Sequence, residues 1–312
     1  MTRAVPCLLL SMSLSLLGGC GQADGGPLPG VPVGETFWAH WGDGQAEING
    51  YALQQPRYGQ VRSGEVVLIF VTEDFDRAEA VKSDRGGPGS LPVIKLNEAR
   101  DFQTGMYDYN AMTSVFVPLD GSLPQGVPAK ISFSMQEWCG HVWDQLVIRD
   151  DGAQHELHSY FQSEGERSER LALPQTATFA DTLPIVARGL VGGLVDTPSL
   201  QLAPRLLDLR LQHVPLSWSE ATVKRSGPTS KTVPAGTFSV STVEVTDGAA
   251  WSRFHVEEAP PHRLVGWERS DGEEAWLTGS VRRPYWKLSG EGQEALRAEL
   301  GLPARAWPDA GS

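Results

Sequence analysis

Cysteine and basic charge are both scarce in this 312-residue chain, and each shortage excludes a class of protein. Three cysteines are too few for a disulfide scaffold. The 26 basic side chains are outnumbered by 38 acidic ones, and a formal net charge of −12 argues against a general nucleic-acid binder. Ten tryptophans and 40% apolar residues still supply enough hydrophobic surface for a folded chain. A folded protein with no nucleic-acid partner is therefore expected.

Recognisable catalytic motifs are also missing. The sequence has no Gly-x-Ser-x-Gly elbow, no Gly-x-x-x-x-Gly-Lys phosphate loop, no His-Glu-x-x-His and no paired Cys-x-x-Cys. These absences make an enzyme less expected without excluding one, because carboxylates from distant strands can meet in the folded protein. No cofactor and no metal site is predicted.

The amino terminus has the layout of an export signal. Arg3 precedes an apolar stretch, residues 4–17, that is too short to span a bilayer as a permanent helix. The following Leu17-Gly18-Gly19-Cys20 resembles the bacterial lipobox, in which the cysteine thiol receives a diacylglycerol and the chain is cut before that cysteine. Two or three acyl chains hold a soluble domain on a membrane, whereas one is marginal. The sequence therefore predicts a bacterial cell-envelope protein whose membrane partner is reached through lipidated Cys20.

Cleavage of the signal changes the charge and the cysteine count. Loss of residues 1–19 removes Arg3 and no acidic residue, so the net charge becomes −13. Cys7 is lost with the signal and the sulfur of Cys20 is consumed, which leaves Cys139 as the only thiol. Gly21, rather than an aspartate, follows the lipidated position, and in enteric bacteria this favours the outer membrane. The periplasmic face of the outer membrane is the expected location.

Composition divides the chain into six segments. Residues 20–34 contain five glycines and three prolines and are typical of a flexible tether. The predicted organisation is a signal peptide at 1–19, this tether at 20–34, a β section at 35–161, a mixed or helical connection at 162–204, a β meander with a helix at 205–301, and a tail at 302–312.

Hydrophobic patterning predicts a mainly β fold: curved antiparallel sheets or a partial β-barrel, with a short helical insertion and a C-terminal helix. Residues 37–41 and 46–53 are predicted to form a hairpin across a Gly-Asp-Gly turn. Residues 206–211 are predicted as a strand. The insertion helix is placed at 181–193 with Asp181 and Thr182 as cap, and the last helix at 290–300 with Ser289 as cap and Gly301 at its end.

The segment with the most chemistry is residues 131–143, interpreted as one strand. Alternation of side chains would place Glu137, Cys139 and His141 on the same face as apolar neighbours. Such a group can act as a cysteine nucleophile with a histidine base, or as a set of metal ligands. The alternative is structural: cross-strand hydrogen bonds satisfy the polar groups, and Cys139 is a small buried hydrophobe.

A second polar and aromatic group is Tyr107, Asp108 and Tyr109. Phenols combine apolar faces with polar tips, so these residues are candidates for lining a ligand cleft. A turn with tyrosines packed on the rim of the sheet is the other interpretation.

Several segments resemble a set of uncharacterised bacterial lipoproteins, some of which carry the label septum formation inhibitor Maf. The matching segments are Phe-Trp-Ala-His-Trp-Gly-Asp-Gly-Gln-Ala-Glu-Ile-Asn-Gly-Tyr at 37–51, residues 101–118, Gln-Glu-Trp-Cys-Gly-His at 136–141, Val-Pro-Ala-Gly-Thr-Phe at 233–238, Ala-Pro-Pro-His-Arg-Leu at 259–264, and residues 279–286. The Ser-Pro-Arg-Arg type loop that opens Maf nucleotide pyrophosphatases is absent here. The C-terminal part is also similar to a periplasmic domain of unknown function with a curved, barrel-like sheet. Neither resemblance implies a substrate or a catalytic residue.

The function predicted from these features is non-enzymatic. We expect a lipid-anchored envelope protein that binds an apolar or envelope-derived ligand, or a protein partner. The alternative hypothesis is a hydrolase or thiol-dependent enzyme that uses Glu137, Cys139 and His141.

Overall fold

The computed structural model describes residues 29–84, 86–193 and 199–303, together with Met1. In these residues a single large sheet contains sixteen strands. The strands are β1 (Ala46–Arg57), β2 (Gln60–Asp76), β3 (Val81–Lys82), β4 (Ser90–Thr104), β5 (Tyr107–Pro118), β6 (Lys130–Glu137), β7 (Gly140–Arg149), β8 (Gly152–Ser159), β9 (Glu166–Leu171), β10 (Ala177–Phe179), β11 (Leu200–Ala203), β12 (Ser219–Val233), β13 (Gly236–Asp247), β14 (Ala250–Glu257), β15 (Leu264–Arg269) and β16 (Glu274–Arg283). The helices are α1 (Glu35–Trp41), α2 (Leu183–Val186) and α3 (Leu206–Gln212), with 3₁₀ turns at Ala180–Thr182, Tyr285–Lys287 and Gln293–Leu300.

The order of strands requires the sheet to curl. Fifteen of the strands lie in the order β10-β11-β12-β13-β14-β15-β16-β1-β2-β4-β5-β6-β7-β8-β9, and β3 pairs with β2. If this sheet were flat, its two edge strands would be about 67 Å apart, given about 4.8 Å between neighbours. The edge strands β9 and β10 are joined by residues 172–176 alone, which reach about 20 Å when fully extended. The sheet is therefore strongly curved and remains unclosed between these edges, which confirms the predicted fold class.

The chain's own helical segments fill the concave side of this sheet. Leu183, Ile185 and Val186 of α2 and Leu206 and Leu209 of α3 are buried in one core with side chains from both β sections. Side chains alternate along the strands, so every second residue of β2, β4 and β5 points into this core. Residues 35–161 and 205–301 thus share one sheet and one core.

Three predicted elements differ from the structure. Residues 37–41 belong to helix α1, because helical spacing brings Phe37 and Trp41 onto one face, with their rings 6.0 Å apart. Residues 206–211 form helix α3 rather than a strand, and residues 131–143 form the hairpin of β6 and β7 rather than one strand.

Two predicted helices form, but without the predicted side-chain caps. The insertion is a 3₁₀ turn followed by the single turn of α2, and neither Asp181 nor Thr182 caps it through its side chain. The last helix is a 3₁₀ segment that starts after Gly292 rather than Ser289. Gly301 ends it as predicted, with a φ of 65° that favours glycine. Cys20, the predicted lipidation site, lies outside the residues that the structure describes.

Two facing glycines let the C-terminal 3₁₀ segment rest directly on the convex side of the sheet. Gly50 of β1 is paired with Gly279 of β16. A Cβ atom on Gly50 would lie 2.4 Å from the carbonyl oxygen of Leu300, and one on Gly279 would lie 2.4 Å from that of Glu299. Leu300 and Leu302 are buried there against Ile48. The close approach of the two backbones therefore depends on the absence of side chains at both positions.

We expect Gly279→Val to release this segment from the sheet, because the new side chain would occupy the position of the Glu299 carbonyl. Trypsin cleavage after Arg297 should become at least tenfold faster, since Leu300 and Leu302 would lose burial worth about 1.5–3 kcal/mol each. The matched control is Gly290→Val, because a Cβ atom there comes no nearer than 3.8 Å to other groups. Equal cleavage rates in the two variants would contradict the docking role of Gly279.

Candidate functional site

Four turns bring exposed aromatic and apolar side chains to one end of the sheet. The turns follow β1, β4, β6 and β8, and in an antiparallel order these four turns lie at the same end. Tyr58, Met106, Trp138 and Tyr160 in these turns are 60%, 74%, 67% and 70% exposed. With the half-buried Tyr107 they form a row that we call the aromatic rim. Contiguous exposed apolar surface of this kind marks sites of interaction.

Polar contacts fix the first part of the aromatic rim. The hydroxyl groups of Tyr58 and Tyr109 are 2.9 Å apart, and Arg57 donates to both, at 3.1 and 3.2 Å. Arg57 also donates to the carbonyl of Leu211 at 2.5 Å, which attaches the rim to the end of α3. Burial and the hydrogen bond with Tyr58 raise the pKa of Tyr109, so this phenol stays neutral. Its ring stacks on Phe102 at 4.8 Å.

Ring contacts extend the rim to the later turns. Tyr107 lies 5.9 Å from Tyr109 and 6.3 Å from Trp138, measured between ring centroids. The Tyr160 ring covers Gly140, where a Cβ atom would come within 2.6 Å of it, and the backbone N–H of Tyr160 donates to the carbonyl of His141. The side chains of the rim are therefore held by neighbours from adjacent hairpins.

The Glu137, Cys139 and His141 group does not converge. Trp138 and Cys139 form the turn between β6 and β7, so the alternation expected for a single strand is interrupted. In the hairpin His141 pairs with Gln136 and Glu137 pairs with Gly140, which places His141 and Glu137 on opposite faces. Cys139 is exposed, and its backbone N–H donates to Glu137 at 2.8 Å.

The Cys139 thiol is poorly suited to nucleophilic attack. The hydrogen bond and negative charge of Glu137 raise its pKa, whereas reactive cysteines have a lowered pKa. The predicted placement of Cys139 on a buried face is wrong, because the residue lies at a turn.

Tyr107, Asp108 and Tyr109 occupy different surroundings. Tyr107 and Tyr109 belong to the ring contacts just described, with Tyr109 buried. Asp108 is exposed on the other face of β5, where it lines an open groove of about 640 Å³ together with Glu65 and Asp101. Tyr109 also borders this groove, so Asp108 and Tyr109 share it, whereas Tyr107 does not line it.

The concave side holds a buried ionic network around Glu273. Arg205 makes two hydrogen bonds to Glu273, at 3.0 and 2.6 Å, and Arg100 makes one at 3.1 Å. The indole N–H of Trp267 donates to the same carboxylate at 2.8 Å. Burial alone would raise the pKa of Glu273, but the charges of Arg100 and Arg205 hold it well below its usual range. Glu273 is therefore a buried, fully ionised centre beneath α3.

Asp181 lies beside this network in a different state. It lines a small cavity of about 20 Å³ between the sheet and the helical segments, room for about one water molecule. Its carboxylate accepts one hydrogen bond, from the backbone N–H of Leu206 at 3.2 Å. Burial raises the pKa of Asp181 to about 8, so the group is mostly protonated at neutral pH.

A second buried network runs from β8 through α3 toward the aromatic rim. The two ring nitrogens of His155 contact Asp144 at 2.9 Å and Glu169 at 3.2 Å. Arg210 of α3 bridges Asp144 and Glu164, at 3.3 and 2.9 Å. Burial acts to lower the pKa of His155, but its hydrogen bonds with the two carboxylates outweigh this and raise it. These ion pairs hold α3 beneath the turns that carry the rim.

No group of three His, Cys, Asp or Glu side chains in residues 29–84, 86–193 and 199–303 is arranged to hold a metal ion. Every helix in the same ranges is too short or too polar to cross a bilayer.

Comparison of the chain with protein-family models, with curated proteins and with solved structures finds no match. The resemblance to bacterial lipoproteins therefore stays a prediction.

Sequence reasoning missed most members of the aromatic rim. Tyr58, Met106 and Tyr160 received no role, and Trp138 was placed inside a strand. A usable signal exists: Tyr58-Gly59 and Gly105-Met106 combine a large apolar residue with a turn glycine. Tight turns are usually polar, so apolar side chains at successive turns indicate an interaction surface.

Proposed function

We propose that this protein is a lipid-anchored, non-enzymatic component of the bacterial cell envelope that binds a protein partner through its aromatic rim. The observation that carries the proposal is the row of exposed aromatic and apolar side chains on four adjacent turns. Tryptophan and tyrosine are the residue types that contribute most at protein interfaces, because they bury a large area and lose little rotamer freedom.

The backbone at Tyr58 supports a functional reading of the rim. Tyr58 has a φ of 54°, a left-handed conformation that glycine and asparagine adopt far more readily. Strained positions of this kind persist where the surrounding structure enforces them, and they cluster at functional sites. A tyrosine at this position projects its ring into solvent beside Arg57, whose guanidinium lies 4.2 Å from the ring centroid.

The position of the tether favours a partner away from the anchoring membrane. Pro29 and Val33 contact the loop after β5, at the opposite end of that strand from the aromatic rim. A strand of the length of β1 spans roughly 35 Å. The ten residues from Cys20 to Pro29 would span about 17 Å as a relaxed Gly-rich chain. An anchor at Cys20 therefore leaves the rim facing away from the lipid surface.

Photo-crosslinking in cells tests this proposal. A photoreactive phenylalanine analogue placed at Trp138 should give a discrete adduct with a protein. The matched control is the same analogue at Trp286, which is also exposed, at 49%, but follows β16 at the other end of β1. We expect no such adduct from position 286.

Two results would contradict the proposal. One is a failure to distinguish the two positions, either because 138 and 286 give the same adducts or because neither position gives an adduct. The other is an adduct from position 138 that contains lipid and no protein, which would mean that the rim contacts a membrane. The anchor is tested separately by Cys20→Ala, which should move the protein from the membrane fraction to the soluble fraction.

A further inference from the structure

A second candidate site lies on the convex side of the sheet, under the C-terminal segment. A cavity of about 240 Å³ separates the sheet from residues 285–300. Its floor is formed by Ile48 and the aliphatic side chains of β2 and β16, and its walls by leucines of the C-terminal segment. The apolar lining residues are Ile48, Val67, Ile69, Val281, Leu288, Leu296 and Leu300, with Tyr285 beside them. The cavity is larger than the apolar cavity of about 150 Å³ that is known to accept benzene.

The charged residues that line the cavity, Arg283, Arg297 and Glu299, are partly exposed to solvent. Arg283 pairs with Glu299 at 2.6 Å, with side chains 42% and 37% exposed. Arg297 donates to Glu65 and to the carbonyl of Pro303. A guanidinium carries five N–H donors, so Arg283 retains donors for an anionic group at the entrance. Arg283 and Arg297 are each paired with a carboxylate, so only the spare donors of Arg283 favour an anionic group. Apolar walls beside such donors are complementary to a molecule that has one hydrocarbon chain and one negative charge.

The backbone geometry keeps the cavity from collapsing. The contacts at Gly50 and Gly279 fix the distance between the sheet and the segment at Leu300, and a Cβ atom on Gly301 would lie 2.6 Å from the carbonyl oxygen of Thr278. Leu288, in the link between the two 3₁₀ segments, and Leu296, in the second segment, are only half-buried. Half-buried aliphatic side chains facing the floor across an open space indicate that a ligand, rather than the protein, completes the packing.

We propose that this cavity binds a single-chain fatty acid, with the hydrocarbon chain against Val67, Ile69 and Val281 and the carboxylate beside Arg283. The proposal is independent of the aromatic rim, because the two sites share no residue. One chain fits, since 240 Å³ lies below the usual range of about 300–1,000 Å³ for drug-sized ligands.

Displacement of the dye N-phenyl-1-naphthylamine from the purified mature chain tests the proposal. Saturated fatty acids of increasing length, from hexanoate to dodecanoate, should compete with an affinity that rises about fourfold per methylene, which corresponds to about 0.8 kcal/mol. The rise should stop once the chain fills the cavity. Octanoate should compete better than octanol, and octanol better than octylamine, because of Arg283. A continuous rise with length to dodecanoate, or equal competition by octanoate and octylamine, would overturn the proposal.

Filling variants locate the site. Leu296→Trp places a larger side chain in the cavity and should weaken octanoate binding at least tenfold, while Ala295→Trp, on the exposed side of the same segment, should leave it unchanged. Val67→Phe fills the cavity from the side of the sheet and replaces Leu296→Trp in the experiment if that variant does not fold.

Deletion of residues 304–312 tests whether the C-terminal tail occupies the cavity. If the shortened chain binds the dye more tightly and octanoate does not displace the dye, the fatty-acid assignment is overturned. An octanoate affinity equal to that of the wild-type protein in both filling variants, Leu296→Trp and Val67→Phe, would also overturn the assignment.

Discussion

Replacing Glu273 by alanine is expected to lower the free energy of unfolding by about 3 kcal/mol, since Arg100 and Arg205 lose the carboxylate that they share. Each arginine keeps one other acidic partner, Glu98 or Asp208, which places the loss at the lower end of the range for a broken buried ion pair. Glu273 is 1% exposed and accepts hydrogen bonds from Arg100, Arg205 and Trp267. Without its carboxylate, two buried guanidinium groups face each other across the space beneath α3. Urea denaturation at pH 7 measures the effect.

Two further variants make the Glu273 prediction specific. Glu274→Ala changes the next residue, which is outside the network, and should alter stability by about 0.5 kcal/mol or less. Glu273→Gln keeps an acceptor for the indole N–H of Trp267, so its loss of stability should fall between those of Glu273→Ala and Glu274→Ala. Because the folded pKa of Glu273 is depressed, its stabilising effect is present above the ordinary glutamate pKa and is lost as the pH falls through the folded value. Similar losses in Glu273→Ala and Glu274→Ala would contradict the role of the network.

Replacing Asp181 by asparagine is expected to stabilise the protein at pH 7 by about 2–4 kcal/mol, because the wild-type carboxyl must stay protonated in the fold while the unfolded chain releases the proton. The folded pKa of Asp181 is raised to about 8 by burial. Because the folded pKa is raised, the contribution of Asp181 to stability is fully present below the ordinary aspartate pKa and is lost as the pH rises toward 8. Asparagine can still accept the hydrogen bond from the Leu206 backbone.

The pH dependence distinguishes this effect from a packing effect. Wild type and Asp181→Asn should have nearly equal stability at pH 4 and should diverge steadily up to pH 8, at no more than about 1.4 kcal/mol per pH unit. Urea denaturation at pH 4, 6 and 8 gives the profile. A constant difference between the two proteins at all three values would contradict a protonated Asp181.

The strands of the fold were predictable because alternating apolar residues and turn glycines are signals contained in short stretches of sequence. The curvature was also predicted, as part of the fold class, but its cause does not lie in any single strand. It follows from the short link between β9 and β10, which lie at opposite ends of the sheet. Helix α3 was mistaken for a strand because its alternating sequence, Leu-Leu-Asp-Leu-Arg-Leu, also satisfies strand periodicity. The pair of Arg205 with Asp208 has helical spacing, but the other partners of Asp208 and Arg210, Arg269 and Asp144, lie far away in sequence.

The candidate site was predictable in part. Tyr107 and Tyr109 were recognised as members of an aromatic group, and they do contact each other. The predicted placement of Glu137, Cys139 and His141 on one face was wrong, because a two-residue turn reverses the chain at Trp138 and Cys139. A turn that contains no glycine or asparagine leaves little local signal in the sequence. The buried networks could not be predicted, because Arg100 and Glu273 are 173 residues apart.

The natural thiol of Cys139 gives the most direct test of the proposal that the aromatic rim is occupied by a partner. Cys139 is exposed next to Trp138, and the proposed removal of residues 1–19 and lipidation of Cys20 would leave it as the only free thiol. Its rate of modification by a hydrophilic maleimide at pH 8 is compared between spheroplasts at native expression and the purified protein. A thiol introduced by Val81→Cys in a Cys139→Ser background, 51% exposed at the other end of the sheet, is the control. We expect Cys139 to react at least tenfold more slowly in spheroplasts, with the control thiol unchanged and Tyr160→Ser restoring the fast rate. Equal rates for Cys139 in the two preparations would contradict an occupied rim.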